Sequence, residues 1–238
     1  MKIENAVVLV TGANRGIGAQ FVEQLKERGA AKIYAASRGG DVAVEGVEPI
    51  RLDVTDPAQI RAASAAAGDV QILVNNAGIS TGTPVVAGDV ADIRREMDTN
   101  FFGPLLMTQA FAPVLKANGG GAIVNVASAL SWFTMPGAGA YAASKAAAWS
   151  LTDSTRLELA GQGTHVVGVH MGMVDTDMGA GVDAPKIAPS AVASAALDAV
   201  ETGLDEVLAD EWATFVKSGL GLGPSERYER IFSALSGS

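Results

Sequence analysis

Val7-Val8-Leu9-Val10-Thr11-Gly12-Ala13-Asn14-Arg15-Gly16-Ile17-Gly18 joins a short β-branched run to a glycine-rich turn, and residues 19–28 follow with helical periodicity through Phe21, Val22 and Leu25. Strand, turn and helix in that order open a βαβ unit. Gly29 stops the helix and residues 31–36 read as the second strand. The glycines at 12, 16 and 18 depart from the G-x-G-x-x-G spacing, and the turn lacks the Lys-Ser/Thr of a P-loop. Alone they would make a tight turn. Set between a strand and a helix N-terminus, whose N–H groups and dipole attract a pyrophosphate, they favour nucleotide binding.

Outward from this unit, residues 37–48 have three glycines and little periodicity, so the second crossover reads as a loop leading to a strand at 49–54. A helix from Asp56-Pro57 to about 67 precedes a buried strand at 70–74, which ends on Asn75-Asn76-Ala77-Gly78. One long helix is expected over 90–117, then a strand at 121–126, a helix at 140–160 and a strand at 165–169. A Gly/Asp-rich loop to Pro189, a helix at 190–201, a strand at 207–209 and mixed helix and loop over 211–238 complete the chain. Near-continuous apolar runs alternating with helices indicate a seven-stranded parallel sheet covered on both faces, in a single α/β domain spanning 1–238. Residues 179–238 would supply a substrate-side loop, the last helix and the last strand.

The composition is that of a globular chain, with 48% apolar and 18% charged residues in 238. The absence of cysteine excludes a disulfide framework, a thiolate metal site and a Cys nucleophile. A formal charge of −9 disfavours nucleic acid and acidic carrier proteins as partners. The first apolar run is too short and Gly-broken for a signal or membrane segment, so a soluble, cytoplasmic protein acting on a small molecule is expected.

Tyr141-Ala142-Ala143-Ser144-Lys145 carries the chemistry, with Ser128 thirteen residues upstream of Tyr141. In a helix, Tyr141 and Lys145 share one face about 5–6 Å apart. A unit charge at ~5 Å with an effective dielectric near 20 is worth roughly 3 kcal/mol, which would lower a phenol from pKa ~10 by about two units. Tyr141 is thereby a candidate proton donor.

A carboxylate about 20 residues after the glycine turn would hold the adenosine ribose of NAD. Here the second strand ends in Ala36-Ser37-Arg38, and Arg38 with Arg15 suits a 2′-phosphate, so NADP is expected over NAD, with Asp41 keeping NAD open.

Together these residues resemble the short-chain dehydrogenase/reductase family, in its branch of about 250 residues. Thr11-Gly12-x-x-x-Gly16-x-Gly18 looks like its cofactor turn, Asn75-Asn76-Ala77-Gly78 like its fourth-strand signature, and Asn100, Ser128, Tyr141 and Lys145 match its catalytic tetrad in order and approximate spacing. The resemblance covers residues 6 to about 178. It implies a Rossmann-type domain binding a nicotinamide cofactor through Gly12, Asn14, Arg15, Gly16, Ile17, Gly18, Ser37, Arg38, Asp53, Val54, Asn76, Ala77, Gly78, Tyr141 and Lys145. Asp53 matches an adenine contact, and Asn76 and Gly78 lie near the adenosine-side ribose. Beyond the sixth strand Gly172, Val174 and Thr176 fit the family's nicotinamide side, while Met171 replaces its usual Pro. Lys145 would also hold the nicotinamide ribose, Ser128 the substrate oxygen, and Asn100 a water linking Lys145 to solvent.

Leu130, Trp132, Phe133, Met135 and Pro136 on one side of the tetrad, and Met171, Met173 and Met178 on the other, predict an apolar pocket for aryl or alkyl ketones and aldehydes. His170 reads as structural, and Asp175 and Asp177 as turn residues rather than metal ligands. The leading expectation is an NADPH-dependent carbonyl reductase, reversible as an alcohol dehydrogenase. The alternatives are a nucleotide-sensing protein without turnover, or another family reaction such as epimerisation or dehydration. The family also implies a homodimer or homotetramer, and Ala142, Ala143, Ala146 and Ala147 give the Tyr141 helix a small-residue surface.

Overall fold

The computed structural model describes residues 1–42 and 44–236. Seven parallel strands, β1 (Val7–Thr11), β2 (Lys32–Ser37), β3 (Glu48–Arg51), β4 (Ile72–Asn75), β5 (Ala122–Val126), β6 (His165–His170) and β7 (Glu206–Leu208), form one sheet in the order β3-β2-β1-β4-β5-β6-β7. The register runs Ala35, Val10, Val74, Val124 and Val167 across its centre. Strand alternation sorts the apolar side chains between faces. Val8, Val10, Ile33, Ile72, Val74, Val124 and Val167 pack into the layer containing α1 (Gly16–Glu27) and α6 (Pro189–Thr202). Leu9, Tyr34, Leu73, Ile123 and Val166 pack on the other side, with α2 (Pro57–Ala66) and α4 (Gly103–Ala117).

The 37–48 crossover contains no helix among its described residues, as its glycines indicate. It delivers the edge strand β3, where Pro49 is tolerated because one side of the strand has no neighbour. Helix starts follow local chemistry: Asp56 accepts from the Ala58 and Gln59 N–H groups at 2.8 and 3.3 Å ahead of α2, and Asp89 from Ala91 at 2.8 Å ahead of α3 (Val90–Met97).

The expected single helix over 90–117 is divided. α3 passes into a π-helical turn, Asp98–Phe102, before α4 begins. Pro104 has no N–H to offer the carbonyl of Asn100, the bond an uninterrupted α-helix requires there, and such turns frequently mark functional sites. The tail is the mixed helix and loop read for it: α7 (Glu211–Ser218) and α8 (Pro224–Leu235), joined by a loop at 219–223, enclose a third apolar cluster, so the described residues from 179 onward hold three α-helices and a strand.

Candidate active site

The strand order reverses between β1 and β4, and a crevice opens there at the carboxyl ends of the strands. The residues expected at the site lie at or after a strand end, in the first turn of α1 or on α5 (Gly139–Leu159), apart from Asn100 in the π-helical turn. The β1 turn and the β4 end are locked together. Thr11 Oγ1 donates to the Val74 carbonyl at 3.2 Å and accepts from the Asn76 and Ala77 N–H groups at 3.0 and 3.1 Å. Asn76 Nδ2 donates to the Thr11 and Gly12 carbonyls at 2.9 and 3.2 Å. Gly12 has φ +64°, and a Cβ on Gly18 would lie 2.0 Å from the Gly12 carbonyl oxygen. Among the described residues no side chain caps α1, so its first N–H groups face the turn. This cradle fits a pyrophosphate.

Around it, Arg38 is exposed at the end of β2, where Ser37 Oγ lies 3.2 Å from the Asp41 carbonyl and 3.4 Å from its carboxylate. An arginine and an acid therefore share this end of the crevice. Arg15 pairs with Asp177 at 3.1 Å, tying the glycine turn to the loop after β6. Thr176 sits there too, its Cγ2 3.1 Å from where a Gly16 Cβ would stand. Asp53 Oδ1 is held by the Thr55 N–H and hydroxyl at 2.9 and 2.7 Å, and Val54 is buried.

The four expected catalytic side chains converge. Lys145 is buried and donates to the Val126 carbonyl at 2.8 Å, its Nζ 5.6 Å from the Tyr141 ring centre. The Ser128 hydroxyl accepts from the Leu130 N–H at 3.1 Å and lies near enough to the Tyr141 phenol to oppose the rise in its pKa. Asn100 accepts from the Ile79 N–H and donates to the Ile79 carbonyl and Ser144 hydroxyl, each at 2.9 Å. Its amide thus pins the loop after β4 to α5.

The electrostatics correct the expectation for Tyr141. Burial pushes its pKa up to about 12 against the lowering bond from Ser128, and burial pushes Lys145 down to about 8. Desolvation of the phenolate outweighs the nearby ammonium, whose Nζ is 5.6 Å from the ring centre and donates to the Val126 carbonyl instead. At neutral pH Tyr141 is a proton donor in place.

The pocket residues separate. Trp132, Phe133 and Met171 are buried in the core, the first two against α7 and α8. Met135 and Met178 are exposed, as are Val85, Val86 and Val182, and Val85 lies against Gly139 at the start of α5. Short apolar loop runs carry no periodicity that would distinguish core from rim.

Two supports lay outside the expected set. Asp210 caps α7 through the Ala213 N–H and holds the Gly172 N–H with its other oxygen, both at 2.7 Å. The cap was legible from Asp before a helix start; the tertiary bond was not. His170 is buried and stacked on Trp132 at 4.1 Å, with Nδ1 3.0 Å from the Ser128 carbonyl. A carbonyl only accepts, so Nδ1 carries the proton. The Glu206 carboxylate, 3.9 Å from Nε2, is ion-paired with Lys217, and burial lowers the His170 pKa to about 4.

A folded-state pKa below the unfolded one gives stability that is complete above about 6.5 and lost as pH falls toward about 4, with a ceiling of roughly 3 kcal/mol. Urea unfolding of the wild type should therefore weaken over that window more than that of H170Q. Parallel pH dependences would contradict the assignment.

The model of the short chain dehydrogenase family matches residues 6–186, and the chain belongs to the short-chain dehydrogenase/reductase family of oxidoreductases. Among relatives, it is 36% identical to galactitol 2-dehydrogenase of Agrobacterium fabrum over 77% of this chain and 76% of that one. It is 34% identical to 3alpha-hydroxysteroid dehydrogenase of Mediterraneibacter gnavus, over 79% and 82%. A short chain dehydrogenase from Burkholderia cenocepacia, solved in complex with NADP, superimposes with a TM-score of 0.93 at 41% identity, covering 97% of this chain and 99% of that one. A 7 alpha-hydroxysteroid dehydrogenase complexed with NADH and 7-oxo glycochenodeoxycholic acid gives 0.81 at 26% identity, covering 87% and 93%.

Proposed function

We propose that this chain reduces an apolar ketone or aldehyde to the alcohol with NADPH, reversibly. The observation that carries this reading is Tyr141, a phenol kept protonated between Ser128 and Lys145 at the mouth of the crevice. When bound, the dinucleotide supplies the hydride. The glycine turn and the N-terminus of α1 would receive its pyrophosphate, and Asp53, Val54, Asn76, Ala77 and Gly78 would hold its adenosine side. Gly172, Val174 and Thr176, together with Tyr141 and Lys145, would hold the nicotinamide side. Ser128 hydrogen-bonds the substrate oxygen and Tyr141 gives it a proton. Lys145, with a pKa near 8, passes a proton toward the resulting phenolate.

Arg38 favours the 2′-phosphate of NADP, as does the likeness to the NADP complex, and Arg15 joins it by leaving Asp177. Asp41 beside Ser37 supports NAD as the weaker alternative. The apolar rim of Val85, Met135 and Met178 suits bulky carbonyls, the class of the 7-oxo compound in the hydroxysteroid dehydrogenase complex.

A homo-oligomer fits the exposed flank of α5, where Ala143 and Leu157 face outward; Ala142 is buried within the chain and leaves that set. Among the described residues no helix is long and apolar enough to cross a membrane, and a cytoplasmic site of action is part of this proposal.

The test is turnover of a graded series of carbonyls with each cofactor. NADPH consumption that rises with substrate apolar bulk is expected; equal rates for small hydrophilic and large apolar carbonyls would reject the pocket. In R38D, kcat/KM for NADPH should fall by about 10–100-fold while that for NADH changes little, the loss of a charge-assisted hydrogen bond. An unchanged cofactor ratio would remove Arg38 from the site.

A further inference from the structure

Asp210 stands between β7 and α7, and its two carboxylate oxygens go to different places. Oδ1 accepts from the Ala213 N–H at 2.7 Å and caps α7. Oδ2 accepts from the Gly172 N–H at 2.7 Å, across 38 positions of sequence. A cap needs one oxygen, which Ser, Thr or Asn would supply; a second acceptor on the same short side chain is what aspartate adds. Gly172 is shaped by the same contact. Its backbone lies outside the left-handed region, so conformation does not demand glycine there, but a Cβ would stand 2.8 Å from Trp212 Cδ1 and 3.0 Å from Asp210 Oδ2. The start of α7 is thus seated on the main chain of residue 172.

That main chain links the two ends of the crevice. At one end the Met171 carbonyl accepts from the Ala129 N–H at 2.8 Å, beside Ser128. At the other, Thr176 lies against Gly16 and Asp177 pairs with Arg15 at 3.1 Å, both on the glycine turn. Between them the Met173 carbonyl accepts from the Ile187 N–H and the Ile187 carbonyl from the Asp175 N–H, each at 3.0 Å. Residues 171–177 therefore join the neighbourhood of Ser128 to the pyrophosphate cradle. Trp212, two residues beyond Asp210, also meets Phe133 edge-on at 6.0 Å between ring centres, so α7 touches chain on both sides of the tetrad.

We propose that Asp210 is a positioning residue for the nicotinamide half of the site: its second oxygen fixes the 171–177 segment against α7 and so holds that main chain in register with Ser128 and Tyr141. This rests on the reduction reading above. A carboxylate accepting from a main-chain N–H makes a charge-assisted bond, roughly twice as strong as a neutral one, which suits a single anchor on an otherwise irregular segment. Asp210 lies outside residues 6–186, the part of the chain that the family model matches, so the segment spanning the site is set from this chain's own tail.

The test compares wild type with D210S and D210N. Ser keeps an oxygen for the α7 cap and is too short to reach Gly172; Asn keeps the length but has one acceptor for two N–H groups. In cofactor-free protein, amide hydrogen exchange across 171–175 should quicken by about tenfold in both variants, with the protection of α7 kept in D210S. With NADPH and a carbonyl that wild type turns over, kcat should fall by about 10–100-fold while the dissociation constant for NADPH stays within about threefold, the signature of a reacting group misplaced on an intact binding surface. A role in stability alone would shift the urea midpoint and leave kcat in place. Unchanged kcat, or unchanged exchange across 171–175, overturns the proposal. If neither variant folds, Asp210 belongs to the scaffold and the proposal falls equally. Should wild type turn over no carbonyl, the reduction reading fails separately. The proposal is then decided by the exchange rates and by the fluorescence of bound NADPH, whose reduced ring reports the nicotinamide end: identical emission in wild type and D210S overturns it.

Discussion

Replacing Tyr141 by Phe should lower kcat for carbonyl reduction by about three orders of magnitude while leaving the dissociation constant for NADPH within about threefold. General acid catalysis by a positioned group contributes roughly 10²–10⁴-fold, and the site offers no second donor in the same place. The Ser128 hydroxyl is tied to the Leu130 N–H, and Lys145 is turned to the Val126 carbonyl. His170 donates its Nδ1–H to the Ser128 carbonyl. Phe keeps the ring volume and its packing over α5, so the variant should fold and bind as wild type does. A single-turnover measurement with an aromatic ketone reads the chemical step directly. Undiminished NADPH oxidation in Y141F would show that the proton comes from elsewhere and would end the reading of this crevice as a reductase site.

Gly18→Ala should cost both stability and cofactor affinity. The added Cβ would stand 2.0 Å from the Gly12 carbonyl oxygen and 2.6 Å from Asn76 Nδ2, contacts that must open before the helix can form. Main chain cannot swing aside as a flexible side chain does, so α1 must shift relative to β1 and β4. Overpacking of this kind costs roughly 1–3 kcal/mol, occasionally more. The same shift withdraws the α1 N–H groups from the pyrophosphate position, so NADPH affinity should fall by at least about 100-fold. Calorimetric binding and urea unfolding of the one variant report both losses. Gly161→Ala, where nothing lies within 4 Å of the added carbon, is the matched control and should change neither. A G18A chain that binds NADPH normally would show that this turn is not where the cofactor sits.

How far the chain could be read in advance depended on whether each feature is local. The strand, glycine turn and helix at 7–28 are set by propensity and by φ values open chiefly to glycine, and they form where the residues indicate. The Tyr141/Lys145 pair is likewise a consequence of helical spacing. The π-helical turn at 98–102 stood in the sequence as Asn100-Phe101-Phe102-Gly103-Pro104, and attention to the missing proline N–H would have found it. Asp210 showed half its role, the helix cap, and concealed the bond to Gly172, which joins residues 38 positions apart.

Residue order alone was enough to establish the parallel α/β sheet, the crevice at its strand ends and the residue types gathered there, because these follow from hydrophobic pattern, turn chemistry and short spacing. It took the folded chain to show that Trp132, Phe133 and Met171 belong to the core, that Glu96 lies buried against Thr81, and that the phenol is held in its acid form. Each of these depends on how much water is removed from a side chain by segments distant in sequence. Spacing fixes which groups are neighbours along one helix, whereas the dielectric around them is set by everything else that packs there.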